Sequence, residues 1–292
     1  MSLYTLNGDG YRIRLSDEGG TVVDGTWNGI PIFRPYPDAI SGKINPLKCG
    51  SFPLIPFGNR VEKNVFSFQG RCYQLNPNTN WDRHYVHGDG WLNQWKVVSH
   101  SEHQLCMDFV WDSDVYIYHA RQRFEVSKGE FVITLELKNT GQTPMPFGIG
   151  HHPFFLLTPD TTLHALAQSY WTEKHDYLPG TLTNLPESQD YSRPKIIPTG
   201  WINNGFEGWN GLARITWIDL EGVLDIKAQG FDRYFLFRSD KSFDPAYQDD
   251  FFCFEPMTHS ANGQNIENSG LKVLAPNEAM TAKVSYQYTQ LA

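Results

Sequence analysis

Apolar and polar residues alternate one by one along several stretches of this chain, and that alternation most constrains its fold. Residues 11–16, 133–138 and 283–288 each carry apolar side chains at every second position, with polar side chains between them. A period of two is the pattern of a strand with one buried face. The 25 glycines and 18 prolines are scattered along the chain, which is typical of turns between many short elements.

The composition and length extend this expectation to the whole chain. Aromatic residues make up 14% of the sequence, and they are favoured in strands. The length of 292 residues is enough to bury a sizeable core. We find no internal repeat, linker or low-complexity segment. The sequence therefore predicts one domain over residues 1–292, an all-β fold built as a large antiparallel β-sandwich with very little helix.

Charge and hydropathy narrow the classes of partner. The formal net charge is -8 and there is no long basic run, so a nucleic-acid surface is not expected. No stretch is long and apolar enough to span a membrane, and residues 1–5 do not resemble a signal peptide. We expect a cytoplasmic protein that acts on a small neutral molecule, as a monomer or a homodimer.

The four cysteines give no sign of a structural metal site. Cys49, Cys72, Cys106 and Cys253 form no Cys-x-x-Cys pair, and their spacing matches no zinc pattern. We therefore expect free thiols and no metal ion.

Four local patterns make more specific predictions. Residues 65–75 predict a hairpin that turns at Gln69-Gly70. The two prolines in residues 52–61 argue against a strand inside a sheet, because proline lacks the N–H that a ladder needs. Residues 203–211 read as a glycine-punctuated loop. Residues 244–250 suggest one short helix.

The segment Gly148–Phe155 contains two adjacent histidines between a Gly-x-Gly turn and a Pro-Phe-Phe run. Pro153 favours extended geometry at His152, and neighbouring side chains of an extended segment point to opposite faces. His151 and His152 are therefore expected to have different surroundings. A histidine beside aromatic residues is often only a hydrogen-bonded core residue, so this segment alone does not establish a site.

Four ionisable residues occur where a strand ends beside glycine or proline: Arg60, His87, His152 and Glu255. A glutamate at the end of an apolar strand is costly unless it is paired or functional. An acid, a base and an additional cation suit proton-transfer chemistry.

At four motifs the chain resembles the aldose 1-epimerase (galactose mutarotase) family. They are Phe-Pro-Leu-Ile-Pro-Phe-Gly-Asn-Arg at 52–60, His-Gly-Asp-Gly-Trp at 87–91, Gly-x-Gly-His-His-Pro-Phe-Phe at 148–155 and Phe-Glu-Pro-Met-Thr-His at 254–259. Each motif is weak alone, and all four in this order are specific. The resemblance implies a β-supersandwich with an open sugar cleft. It also implies cofactor-independent interconversion of the α and β anomers of a free aldose such as galactose or glucose.

The resemblance also assigns roles to residues. Glu255 matches the general base, His152 the general acid, His87 a histidine that binds the sugar near its ring oxygen, and Arg60 a substrate-contacting arginine. Asn203 takes the place of a family aspartate that binds sugar hydroxyls, and an amide donates as well as accepts.

Three aromatic residues are further candidates for packing against the apolar face of a sugar ring. Core packing is the alternative interpretation for each of them. They are Trp91, Phe206 and Trp209.

Epimerisation by a general base and a general acid sets requirements on the pKa values of Glu255 and His152. Anomers interconvert through the open-chain aldehyde, when a base removes the C1 hydroxyl proton and an acid protonates the ring oxygen. Glutamate, with a reference pKa of about 4.3, is ionised at neutral pH. Histidine, with a reference pKa of about 6.5, needs an upward shift, which we expect the nearby carboxylate to supply.

Three other functions stay open from the sequence. A hexose-6-phosphate 1-epimerase needs cations around a phosphate, and Arg71 and Arg83 lie near the right region without a clear cluster. A non-catalytic carbohydrate-binding protein would keep the cleft but not need the acid–base pair. A metal-dependent β-sandwich enzyme would use the four histidines His84, His87, His151 and His152. Their alternation between faces argues against that function.

Overall fold

The computed structural model describes residues 1–37 and 42–291, and most of this chain forms antiparallel strands. In these two ranges there are 26 strands, six short 3-10 segments and no α-helix. None of the described helical segments is long or apolar enough to cross a membrane. The 3-10 segments are Pro46–Lys48, Glu62–Asn64, Gly90–Leu92, His175–Tyr177, Glu187–Gln189 and Gly263–Asn265.

Strands are numbered in chain order, and eleven of those described form the larger sheet. They are β1 (Leu3–Gly8), β2 (Tyr11–Ser16), β3 (Thr21–Trp27), β4 (Ile30–Pro31), β5 (Ser51–Leu54), β15 (Gly150–Leu156), β17 (Ser169–Lys174), β18 (Leu178–Asn184), β20 (Ile202–Glu207), β23 (Arg233–Arg238) and β24 (Phe251–Met257). Their spatial order is β1-β2-β3-β5-β15-β24-β23-β20-β17-β18, and β4 pairs with β3.

The second sheet contains nine of the described strands. They are β10 (Lys96–His100), β11 (Gln104–Asp112), β12 (Ile117–Ser127), β13 (Glu130–Asn139), β16 (Thr162–Ala165), β19 (Lys195–Ile196), β21 (Leu212–Trp217), β22 (Gly222–Gln229) and β26 (Ala279–Gln290). Their order is β10-β11-β12-β13-β26-β22-β21-β16-β19.

The other strands form three two-stranded ribbons, β6 with β9, β7 with β8 and β14 with β25. Their bounds are β6 (Arg60–Val61), β7 (Val65–Phe68), β8 (Arg71–Gln74), β9 (Tyr85–Val86), β14 (Met145–Phe147) and β25 (Lys272–Leu274).

The two large sheets face each other across an aromatic core. Phe155 of the larger sheet lies 6.2 Å from Tyr286 of the second sheet, measured between ring centroids. Phe33 contacts both rings, at 5.7 and 5.0 Å. The predicted all-β antiparallel sandwich with very little helix is thus confirmed. The predicted hairpin is confirmed as well, since β7 and β8 are joined by Gln69 and Gly70, both with positive φ.

The prediction that prolines keep residues 52–61 out of the sheet interior is wrong for β5. This strand lies between β3 and β15 and contains Pro53. Strand β3 pairs with β5 only at Ser51, so no donor is required on that side at Pro53. On the other side, Pro53 is opposite His151.

Two further local predictions are wrong. Residues 202–207 form β20, an internal strand of the larger sheet, where a loop was expected. Residues 244–250 form turns in place of the expected helix. The reason is local, because the Asp244 carboxylate accepts the Ala246 N–H, which favours a turn over a helix.

The turn after β9 holds His87 close to β5. His87 has a φ of 61° and Gly88 a φ of 70°. The Ile55 carbonyl accepts the Asp89 N–H at 2.9 Å. A Cβ at position 88 would lie 1.8 Å from the Ile55 carbonyl oxygen, so only glycine allows this approach.

We predict that Gly88→Ala destabilises the protein much more than Gly70→Ala. Both glycines have a positive φ, which costs alanine roughly 1–2 kcal/mol. An added Cβ at position 88 would also collide with the Ile55 backbone, whereas an added Cβ at position 70 would have nothing within 4 Å. Urea unfolding of both variants measures the difference, and equal losses of unfolding free energy would contradict the role of the Ile55 contact.

Candidate active site

A cleft of about 460 Å³ opens on the outer face of the larger sheet. It lies over the four adjacent strands β15, β24, β23 and β20, whose alternate side chains point away from the aromatic core. Five of the eight residues that the sequence suggested line this cleft. They are Arg60, His87, His152, Asn203 and Glu255.

His152 and Glu255 meet on the floor of the cleft. Pairing of Gly150 with Met257 and of Phe154 with Cys253 places His152 directly across from Glu255. The His152 Nε2 and Glu255 Oε1 atoms are 3.4 Å apart. The two residues are 7% and 1% exposed, so solvent screens the pair very little.

Burial drives both members of this pair toward their neutral forms. It raises the pKa of Glu255 well above its usual value, an effect that the nearby Arg60 guanidinium opposes. Burial also lowers the pKa of His152 to about 3. The expected upward shift of the His152 pKa is therefore wrong, because desolvation outweighs the attraction of the carboxylate. Both shifts favour a pair without net charge.

His87 is held as a neutral hydrogen-bond donor. Its Nδ1 accepts the Asn59 N–H at 3.1 Å, which places the proton of the neutral ring on Nε2. Burial lowers the pKa of His87 well below its usual value, and His152 and Arg60 lower it further. Its ring centroid is 5.1 Å from that of His152, so the Nε2–H belongs to the same site.

Arg60 brings a positive charge to the edge of the cleft. Its Nε donates to Asp82 Oδ2 at 2.7 Å, and its guanidinium carbon lies 5.1 Å from the Tyr177 ring centroid. The side chain is thereby fixed in place and partly neutralised.

Asn203 presents its carbonyl oxygen to the cleft. Its Nδ2 donates to Glu173 Oε1 at 3.0 Å and to the Tyr177 carbonyl at 3.3 Å. Two acceptors on one side of the amide determine which atom is nitrogen. Glu173 is itself fixed, because Trp201 Nε1 donates to its Oε2 at 2.6 Å. No sequence motif indicated Glu173, which lies on the neighbouring strand β17.

The three suggested aromatic residues do not line the cleft. Phe206 lies three positions after Asn203 on β20 and so points to the opposite face, where it stacks on Tyr234 at 4.6 Å. Trp209 packs in the same core, 5.3 Å from Phe254. For these two residues core packing is the correct interpretation.

Trp91 lies behind the cleft and supports its floor. It stacks on Phe52 at 5.1 Å, and Phe52 stacks on the His152 ring at 4.5 Å. The aromatic residues that do line the cleft include Trp81, Tyr177, Phe235, Phe237 and Phe243. Alternation along β23 was the signal that could have identified Phe235 and Phe237.

The four histidines proposed for a metal enzyme do not converge. His151 points into the core, 6.1 Å from Phe231, and burial lowers its pKa to about 3. The prediction that His151 and His152 face opposite sides is confirmed. His84 Nδ1 accepts the Lys63 N–H at the start of the β7–β8 ribbon. In the described part of the chain, the residues grouped closely enough for a metal ion are His152, Cys253 and Glu255.

Comparison with known proteins identifies the family. The model of the aldose 1-epimerase family matches residues 2–287. The chain belongs to the aldose 1-epimerase family. Membership in the aldose 1-epimerase family carries a general epimerase or mutarotase function, an activity of the isomerase class.

Several known proteins are similar to this chain over nearly its whole length. The Escherichia coli K12 protein YphB, which is uncharacterized, is 42% identical over 290 residues, or 98% of each chain. A crystal structure of a candidate aldose 1-epimerase from E. coli K12 has a TM-score of 0.94 over 99% of both chains at 39% identity. A galactose mutarotase-like protein from Clostridium acetobutylicum shares the fold alone, with a TM-score of 0.84 over 98% of this chain and 95% of that chain at 19% identity.

Proposed function

We propose that this protein is a cofactor-independent aldose 1-epimerase that interconverts the α and β anomers of a free aldose such as galactose or glucose. The observation that carries the proposal is the buried His152–Glu255 pair, with 3.4 Å between Nε2 and Oε1. Such a pair can accept a proton at one atom and donate one at the other without an outside proton source.

The reaction requires the proton on His152. Glu255 then removes the C1 hydroxyl proton while His152 protonates the ring oxygen, and the ring opens to the aldehyde. Burial favours the proton on Glu255 in the free site, so binding must transfer it along the Nε2–Oε1 contact. Arg60 favours that transfer, because its charge lowers the pKa of Glu255. Rotation about C1–C2 and the reverse transfers close the ring as the other anomer.

His87 and Asn203 complete the recognition of the sugar in this proposal. The Nε2–H of His87 is a donor for an oxygen near the ring oxygen. The Oδ1 of Asn203 is an acceptor for a hydroxyl, because its nitrogen is already bound to Glu173 and Tyr177.

The lining of the cleft favours a free sugar over a sugar phosphate. Among the described residues, Arg60 is the only arginine or lysine in the lining, and it is paired with Asp82. Arg83 is exposed and pairs with Asp176 outside the cleft, and Arg71 lies over the Tyr73 ring. A phosphate would lack the clustered donors that it needs. Mutarotation rates across a panel of aldoses and their 6-phosphates test this choice.

We predict that Glu255→Gln nearly abolishes mutarotation and leaves the fold intact. The amide keeps the shape of the side chain but has no basicity, and loss of a general base typically slows a reaction by on the order of 10²–10⁴. Polarimetry of freshly dissolved α-galactose and α-glucose measures the rate. Glu136→Gln, on β13 of the second sheet, is the matched control. Full activity of purified Glu255→Gln would remove Glu255 from the mechanism.

We predict that His152→Asn loses turnover and that His151→Asn retains it if it folds. Only His152 lines the cleft, whereas His151 is packed in the core. The same polarimetric assay, together with circular dichroism, separates loss of chemistry from loss of fold. The reverse outcome, with His151→Asn inactive though folded and His152→Asn active, would show that the assignment is wrong.

We predict that Asn203→Asp changes the ratio of kcat/KM for galactose and glucose by more than it changes kcat on the better sugar. The new carboxylate would replace the nitrogen that now lies 3.0 Å from Glu173 Oε1, so two like charges would meet. A buried sugar hydroxyl that loses its matched hydrogen-bond partner weakens binding by roughly 1–3 kcal/mol.

The partner variant makes this test specific. Glu173→Gln in the Asn203→Asp background restores an N–H donor between the two side chains, so it should recover most of the loss. Glu173→Gln alone should have a smaller effect on the sugar ratio, because Asn203 can still donate to the one remaining oxygen, although the hydrogen bond from Trp201 is then lost. An unchanged sugar ratio in Asn203→Asp would show that Asn203 does not contact the substrate.

A further inference from the structure

The proton-transfer pair has a third neighbour that the epimerase chemistry does not use. Cys253 lies two positions before Glu255 on β24, so both side chains project to the same face. The Cys253 sulfur, a nitrogen of His152 and an oxygen of Glu255 all lie within 4.8 Å of one another. The three residues are buried, and Cys253 is a free thiol.

One further atom of this cluster has no hydrogen-bond partner. Glu255 Oε2 is buried and unpaired among the described residues. Buried polar atoms without partners are rare and point to a missing ligand, water or ion. The carboxylate therefore has coordination capacity beyond its contact with His152.

The distances suit a tetrahedral ion. Zn²⁺ binds nitrogen and oxygen ligands at about 2.0–2.1 Å, so two such ligands 3.4 Å apart subtend roughly 110° at the metal. A thiolate, an imidazole and a carboxylate are all ligands of Zn²⁺, whereas Ca²⁺ and Mg²⁺ prefer oxygen ligands alone. Three protein ligands would leave a fourth position for water or a sugar hydroxyl.

We propose that His152, Cys253 and Glu255 form a binding site for a borderline-soft divalent cation of the Zn²⁺ type, and that its occupation inhibits epimerisation. Binding releases the thiol proton of Cys253 and the proton shared by the pair to solvent. The ion takes the lone pairs of His152 and Glu255 that would otherwise carry the proton. The inhibition, though not the binding, rests on the proposed function.

Binding is tested first, without any sugar, with Co²⁺ as a spectroscopic probe. The chelator-treated full-length protein is titrated with Co²⁺, and we expect a thiolate-to-cobalt charge-transfer band. The band should be absent in Cys253→Ser and in Cys253→Ala, two variants that differ in how they fill the site. Cys49→Ser removes another buried thiol and should retain the band. A band that survives both Cys253 variants, or no band in the wild type, would overturn the proposal.

Inhibition is tested second, with each variant normalised to its own metal-free mutarotation rate. Loss of one ligand should weaken Zn²⁺ inhibition at least ~10-fold in Cys253→Ser. Loss of a residue that only supports a metal ligand already lowers metal affinity by about 10–100-fold. Equal inhibition of the wild type and Cys253→Ser would overturn the proposal. A cobalt band in a protein without mutarotation would support the metal site and contradict the proposed function.

Discussion

The antiparallel register between β15 and β24 is the constraint on which the site depends. It places His152 across from Glu255, and both side chains leave the sheet on the face opposite the aromatic core. A shift of β15 by one residue would turn His152 into the core and bring His151 to the cleft, while Glu255 of β24 would keep its place. Buried charges are costly, and burial accordingly shifts the pKa values of both residues toward their neutral forms. In the proposed reaction, the same neutrality would let the pair move a proton without creating net charge.

The two faces of the larger sheet have different roles: the core face packs against the second sheet, and the cleft face carries the candidate site. On the core face, Tyr234 and Phe254 stack at 4.6 Å and hold β23 and β24 together. On the cleft face, the same two strands present Phe235 and Glu255, which are opposite each other in register. A polar site on the outer face can therefore vary while the inner face keeps the strands aligned. The segments outside this sheet contribute the remaining polar residues of the cleft, Arg60 and His87.

The sequence predicted features that depend on local periodicity and missed those that depend on contacts between distant segments. Alternation was sufficient for the sandwich and for the opposite faces of His151 and His152. The prediction failed at residues 203–211. Their glycines indicated a loop, but residues up to Glu207 form a strand through pairing with β23. The link between Glu173 and Asn203 joins two strands that are far apart in sequence, so no motif contains it. The prediction for the His152 pKa was wrong for a related reason, because Phe52, which covers the imidazole ring at 4.5 Å and helps to exclude water, belongs to the distant strand β5.

Strand geometry also places the residues two positions away from Glu255 on the same face of β24. The residues two positions before and after Glu255 share its face, and here both contain sulfur: Cys253 and Met257. Met257 fills space beside Gly58, where its methyl group would be 2.8 Å from an added Cβ, so its role is packing. Cys253 is buried in an apolar cluster that also contains Phe154 and Phe251. Its thiol packs in this cluster and is also the third ligand of the proposed metal site, and this second capacity separates Cys253 from an ordinary packing residue.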